Sequence, residues 1–371
     1  MSRTKPYITS SHPKTLILGI HAPYNRTNDI ESYFHEFKSL VKTNQVQYDQ
    51  EIYLKIREID PTYFITKGKL EDLIEECDKN EIEEVIVSEP LTAQQERNLG
   101  DILRCRIFDR TKLILEIFEK SAHSAEGKTQ VQIAMLQHRK SRLAGKGITM
   151  SQQSGMIGVK GPGETAKEKE TRHIEQTILK LKRDLLVIEQ SRETRRKKRL
   201  ANKVPHICLV GYTNAGKSTL LNVLTKSNVL AEDKLFATLD TTTREFYLDG
   251  VKKGIISDTV GFIQLLPPNL IQAFKSTLSE LQYADLLLHV VDVSDKNWPS
   301  QIQVVQEILD DLDVDKPMIY VFNKADKVNK SLELDIQLSQ YQPRCMTVAS
   351  EKQVSELLDL LRHWQSVEQV I

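Results

Sequence analysis

The stretch Gly211–Thr219, GYTNAGKST, combines residue types that can hold a polyphosphate. It matches G-x-x-x-x-G-K-[ST], follows the apolar run HICLV and opens the helical pattern KSTLLNVLTK. That strand–loop–helix setting separates the motif from a chance match in a glycine-containing turn. The glycines let backbone N–H groups approach phosphate oxygens, and the start of the following helix favours negative charge. Lys217 is placed to reach the β- and γ-phosphates, and the Ser218 hydroxyl to ligate Mg²⁺. Gly211, Tyr212, Thr213, Asn214, Ala215, Gly216, Lys217 and Ser218 are therefore the first candidate nucleotide-binding residues.

A second element lies downstream in DTVGF. Asp258 ends an apolar strand, where a carboxylate holds Mg²⁺ through water. Thr259 and Val260 lead to Gly261, whose N–H is placed for the γ-phosphate. Phe262 follows, near the point where many nucleotide hydrolases carry a glutamine that orients the attacking water. NKAD, Asn323–Lys324–Ala325–Asp326, ends the strand MIYVF. A carboxylate at Asp326 accepts from N1–H and the 2-amino group of guanine, donors that adenine does not offer in that geometry. Asn323 is expected to contact N7 and tie this loop to the phosphate loop. Val348–Ala349–Ser350 can donate a backbone N–H to the guanine 6-oxo group. Between Lys226 and Arg244 the chain is polar and threonine-rich, and a threonine there is expected to close on Mg²⁺ when GTP is bound. Thr238, Thr241, Thr242 and Thr243 are all candidates on these grounds.

The elements that position these residues follow from periodicity. The chain has 371 residues, room for two or three domains. Residues 1–126 alternate short apolar runs (TLILGI, EEVIVSE) with helical patterns, the signature of a small α/β domain. Residues 127–203 differ. Ile174, Ile178, Leu181, Leu185 and Ile188 recur at steps of four and three on one long helix, and Val131, Met135 and Leu136 mark a shorter helix upstream. An antiparallel, coiled-coil-like helical hairpin is expected. Its connecting loop is glycine-rich and holds Lys146 and Lys160, with Arg139 and Lys140 nearby and RRKKR at Arg195–Arg199 beginning the link to the next domain. These clustered bases fit a solvated face and an RNA-facing tip equally well. Residues 204–371 return to alternating strands and helices, a phosphate-loop domain with a mostly parallel sheet.

Net charge is zero, so overall charge argues for no partner. Cys77, Cys105, Cys208 and Cys345 form no CxxC pair, and Cys105 and Cys208 sit in apolar runs as small core residues. No apolar run approaches the ~20 residues that span a bilayer, and the first residues lack a signal-peptide pattern, so a cytoplasmic protein is the expectation.

Taken together, these residues resemble the HflX family of ribosome-associated GTPases, in a combination highly specific to it. KGKLEDL, DRTKLILEIF, AEGKTQVQIA and GPGETAKEKETRHIE look like that family's N-terminal domain and linker. GYTNAGKSTLLN, LFATLDTTTR, DTVGFI and ADLLLHVVD look like its GTPase domain. The resemblance selects Thr238 as the Mg²⁺-sensing threonine and adds Phe236, Ala237, Leu239 and Asp240 of FATLD to the nucleotide-binding set. It implies a TRAFAC-class, OBG-type GTPase, with Lys217, Thr238 and Gly261 as catalytic residues and Mg²⁺ held by Ser218, Thr238 and, through water, Asp258. It also implies binding to the large ribosomal subunit, rRNA and protein alike, by a protein that splits stalled or idle ribosomes; the a/d seam is expected to pack within the hairpin, as in a monomer. The alternative is a GTP/GDP sensor in large-subunit maturation. On either reading Lys146, Lys160, Arg139 and Lys140 are the RNA-contact candidates. Two departures stand out: Thr241 where the family usually has proline, and VASE in place of a VSA-type guanine loop. With Phe262 unable to polarise water, basal hydrolysis is expected to be slow and to need a partner.

Overall fold

The computed structural model describes residues 12–25, 29–143, 166–226, 234–267, 270, 275–329, 331–348 and 353–368. The chain packs as two compact units, one of residues 1–117 and 135–178, the other of residues 118–134 and 179–371.

In the first unit the buried run TLILGIH forms β1 (Thr15–His21). It is followed by α1 (Ile30–Thr43), β2 (Gln50–Lys55), α2 (Lys67–Asn80), β3 (Glu84–Val87), α3 (Ala93–Leu103), β4 (Arg106–Phe108) and the start of α4 (Arg110–Ser121). The described strands make a parallel sheet of order β2-β1-β3-β4. Helix starts are set by side chains. Asp29 accepts from the Ser32 N–H at 3.1 Å, and Thr92 and Gln95 form a reciprocal capping box. Asp109, just before α4, is a buried hub. It accepts from the N–H groups of Leu91 and Lys112 and from the Arg142 guanidinium at 2.7 Å.

Helices α5 (Ala125–Leu143) and α6 (Ala166–Ala201) are the two expected arms. The α6 stripe behaves as its spacing implies: Ile174 and Ile178 are buried, while Leu181, Leu185 and Ile188 are half-buried. RRKKR does not begin a linker. Residues 195–199 continue α6, because Lys and Arg are good helix formers and nothing in the run breaks a helix. Each arm contributes residues to both compact units.

The second unit holds β5 (His206–Gly211), α7 (Lys217–Thr225), β6 (Thr242–Leu248), β7 (Val251–Asp258), α8 (Lys275–Gln282) and β8 (Leu286–Asp292). It continues with α9 (Trp298–Asp311), β9 (Met318–Asn323), α10 (Leu332–Leu338), β10 (Arg344–Met346) and α11 (Ser355–Glu368). The sheet order is β10-β9-β8-β5-β7-β6, parallel except for the β6–β7 pair. Completely buried runs in β5 and β8 fit strands covered on both faces. All four cysteines are buried thiols, none of them in a disulfide. No helix among the described residues is long and apolar enough to cross a membrane.

Candidate nucleotide-binding site

Central strand β5 delivers the phosphate loop at its C-terminal end, where open parallel sheets bind ligands. Gly211 has φ +151°, and a Cβ there would lie 2.2 Å from the Val290 carbonyl oxygen on β8. Gly216 has φ +95° and closes the loop into α7; a Cβ there would meet the Asn323 side-chain amide at 2.2 Å. The glycines of the motif are thus dictated by close approach as well as by dihedral angle.

Lys217 is buried and donates to the carbonyls of Gly211 at 3.1 Å and Tyr212 at 2.8 Å. Burial pushes its ammonium down to about 8, with the Asp258 carboxylate acting in the opposite direction. Ser218, Thr238 and Asp258 come together beside it. The Ser218 hydroxyl donates to Asp258 at 2.5 Å and lies 2.7 Å from the Thr238 hydroxyl. Of the four threonines open to choice on sequence grounds, Thr238 is the one placed at this point. Burial raises the Asp258 carboxyl above its usual range, against the Lys217 charge and the bond from Ser218. Its Oδ1 is buried with no hydrogen-bond partner. Two hydroxyls and a carboxylate with an unsatisfied oxygen form a hard-oxygen donor set that fits Mg²⁺ and its bound water. An ion there would supply charge compensation for β- and γ-phosphate oxygens.

The cleft is lined by Thr213, Asn214, Gly216, Lys217, Ser218, Thr219, Phe236, Ala237, Thr238, Thr259 and Gly261, together with Lys234, which the motif reading missed. The hydroxyl of Thr213 is buried without a partner at this wall. Gly261 packs close: a Cβ there would fall 3.0 Å from Lys217 Nζ and 2.8 Å from the Thr213 Cα. Thr259 spends its hydroxyl on the Leu209 carbonyl at 2.7 Å. Leu239 and Val260 are buried among the core residues and do not line the cleft. Asp240 does not line it either. Its carboxylate accepts from the N–H groups of His123 and Ser124 at the start of α5. Phe262 turns its ring into the core, where it is 1% exposed, while its backbone pairs with the phosphate loop. The Thr213 N–H donates to the Phe262 carbonyl at 2.8 Å, and the Phe262 N–H to the Gly211 carbonyl at 3.2 Å.

The base-recognition loop is tied to the phosphate loop from β9. Asn323, buried, donates to the Ala215 carbonyl at 2.9 Å, and Lys324 donates to the Asn214 carbonyl at 2.8 Å. Lys324 also pairs with Asp292 at the end of β8, 2.7 Å away. Asp326 follows Ala325 in a short 3₁₀ turn and is exposed. Thr347 supports this loop through backbone bonds with Phe322 and Ala325. Val348 comes next, and Ala349 and Ser350 lie outside the described residues. Asp292 and Thr347 were missed because Asp292 closes ADLLLHVVD, a stretch read as a strand, and Thr347 stands just before the VAS run, so neither was singled out as a site residue.

The basic candidates divide. Arg139 pairs with Glu170 at 2.6 Å and Lys140 with Glu175 at 2.7 Å, so both are compensated by acids from α6. Lys146 and Lys160 lie outside the described residues.

Comparison with known proteins gives a consistent picture. Three family models match in succession: GTP-binding GTPase N-terminal over residues 31–119, GTP-binding GTPase Middle Region over 121–199 and 50S ribosome-binding GTPase over 206–324. A GTPase HflX of Caldanaerobacter subterraneus is 45% identical over 297 residues, covering 80% of this chain and 69% of the relative. A GTPase HflX of Escherichia coli is 40% identical over 308 residues, covering 83% of this chain and 72% of the relative. Among solved structures, that of SsGBP in complex with GDP aligns over 95% of this chain and 98% of its own, at 25% identity and a TM-score of 0.50.

Proposed function

The chain belongs to the HflX family of GTPases, and from that membership we propose that it acts on the large ribosomal subunit, using GTP binding and hydrolysis to split or recycle stalled or idle ribosomes. It hydrolyses GTP to GDP and phosphate. Ser218 and Thr238 hold Mg²⁺ directly and Asp258 through water, Lys217 and the loop N–H groups hold the phosphates, and Asp326 selects guanine.

The observation that carries the need for a partner is the composition of the cleft. Among the described residues that line it there is no carboxylate, glutamine or histidine. Phe262 offers only backbone there, with its ring in the core. The described lining residues can bind and polarise the phosphates, and none of their side chains is a carboxylate or imidazole that could act as base. Slow hydrolysis by the free protein follows, with acceleration on a partner that orders the water. The description of the model matching residues 206–324, as a 50S ribosome-binding GTPase, supports the large subunit as that partner.

The test is a sucrose-gradient profile of intact ribosomes incubated with the protein and a non-hydrolysable GTP analogue. Conversion of whole ribosomes into subunits, with the protein on the large one, is the expected result. Co-migration with the large subunit while whole ribosomes persist would instead assign a maturation role, and absence from every ribosomal fraction would overturn the ribosome reading.

A further inference from the structure

The segment carrying Thr238 is anchored on both sides to residues outside the span 206–324. On one side, Phe236 is buried edge-on against Phe118, with ring centroids 4.7 Å apart at 83°. On the other, the Asp240 carboxylate accepts from the His123 N–H at 2.8 Å, the Ser124 N–H at 2.7 Å and the Ser124 hydroxyl at 2.5 Å. The Ser124 oxygen in turn accepts from the Gly127 N–H at 2.9 Å, so Asp240 and Ser124 jointly cap α5. Gly127 is required by this approach: a Cβ there would lie 2.1 Å from Asp240 Oδ1. One residue further, Thr241 accepts from Arg192 of α6 at 3.0 Å, and the same guanidinium bonds Glu126 at 3.1 Å. All of these residues belong to one compact unit.

We propose that Asp240 is a positioning residue for GTP hydrolysis, holding Thr238 at the Mg²⁺ site by docking onto the first turn of α5. Only Ala237 lies between Thr238 and Phe236, and only Leu239 between Thr238 and Asp240, so Thr238 cannot leave Ser218 freely while both anchors stay docked. A carboxylate is suited to this task because it takes three donors at once and is drawn to the positive end of a helix. The coupling is reciprocal. Nucleotide that favours Thr238 on Mg²⁺ favours the capped first turn of α5, and whatever displaces that turn weakens the hold on Mg²⁺ and γ-phosphate. The Thr241–Arg192 bond extends the same connection to α6. This reading rests on the GTPase chemistry of the cleft alone, and its test uses no ribosomes.

The test compares the parent with Asp240→Asn, Gly127→Ala, Ser124→Ala and Ser124→Thr in the full chain. Single-turnover GTP hydrolysis is followed against Mg²⁺ concentration, and GDP affinity is measured beside it. Gly127→Ala leaves the cleft untouched and places a helix-favouring residue inside a helix, so it perturbs only the docking of Asp240. Loss of one charge-assisted hydrogen bond corresponds to roughly a tenfold or larger shift in the docked population. Asp240→Asn, Gly127→Ala and Ser124→Ala should each raise the Mg²⁺ concentration for half-maximal turnover about tenfold. GDP affinity should stay within about twofold, Ser124→Thr should behave as the parent, and Asp240→Asn with Gly127→Ala should be no worse than either alone. Unchanged Mg²⁺ dependence, additive effects in the double variant, or GDP affinity falling in step with turnover would each overturn the proposal.

Discussion

Substituting Gly216 by alanine probes how the base-recognition loop is held over the phosphate loop. Two costs arise. The left-handed backbone at φ +95° disfavours any side chain by about 1–2 kcal/mol. The new methyl would stand 2.2 Å from the Asn323 side-chain amide, which must swing away and give up its bond to the Ala215 carbonyl. That bond is buried, so leaving the carbonyl unpaired costs about 1–3 kcal/mol. Gly216→Ala should therefore weaken GDP binding by about 2–5 kcal/mol, since both loops must be in place to hold the nucleotide. Asn323→Ala loses the same bond without the backbone term, about 1–3 kcal/mol. If the clash acts through Asn323, the double variant carries the bond loss only once and is no weaker than Gly216→Ala alone. The coupling energy is then about 1–3 kcal/mol. Isothermal titration of GDP into the four proteins measures it. Simple additivity, within about 0.5 kcal/mol, would refute the reasoning and show that the new methyl is absorbed elsewhere.

Asp326→Asn replaces an acceptor with a donor facing the guanine donors. GTP affinity should fall by about 1.5–3 kcal/mol per charged bond lost, and xanthosine triphosphate should gain relative to GTP, read by competition binding. Asp109→Asn should destabilise by about 3–5 kcal/mol near neutral pH, because it breaks a buried pair with Arg142, measured by calorimetric unfolding. Burial alone would raise the Asp109 carboxyl, but the His138 ring 3.6 Å away and the charge of Arg142 hold it below its ordinary value. A depressed folded value means the stabilisation is present above the unfolded value of about 3.9 and is lost as pH falls through the lower folded value. The gap between parent and variant should close below about pH 4, and a gap independent of pH would exclude the ion pair as its source.

The phosphate loop, Asp258 and NKAD were legible because each is a local pattern set at a strand end, where a few adjacent residues fix both backbone and chemistry. The long helix was legible for the same kind of reason, through the stripe from Ile174 to Ile188. What escaped the sequence is non-local or half-exposed. Edge strand β2, QEIYLK, alternates exposed polar residues with partly buried ones, and edge strand β6 carries Arg244 and Glu245 at exposed positions. Neither reads as an apolar run. Arg139 and Lys140 look like a basic patch in one dimension, since the acids that neutralise them come from α6, more than a loop away. Asp240 reads as part of FATLD, and only the fold brings residues 123 and 124 to its carboxylate. Phe262 was legible as a missing glutamine, but its backbone pairing with the phosphate loop required the structure.

The central proposal is that this GTPase is incomplete until a partner, proposed to be the large ribosomal subunit, completes it. The most direct measurement is GTP turnover by the protein at saturating GTP and fixed Mg²⁺ and salt, with and without purified large ribosomal subunits. Supplying one transition-state element to a G protein is worth on the order of 10³–10⁵ in rate. A slow free enzyme that large subunits accelerate toward that range is the predicted result; a free enzyme that already turns over rapidly, or one that subunits leave unchanged, would contradict the account.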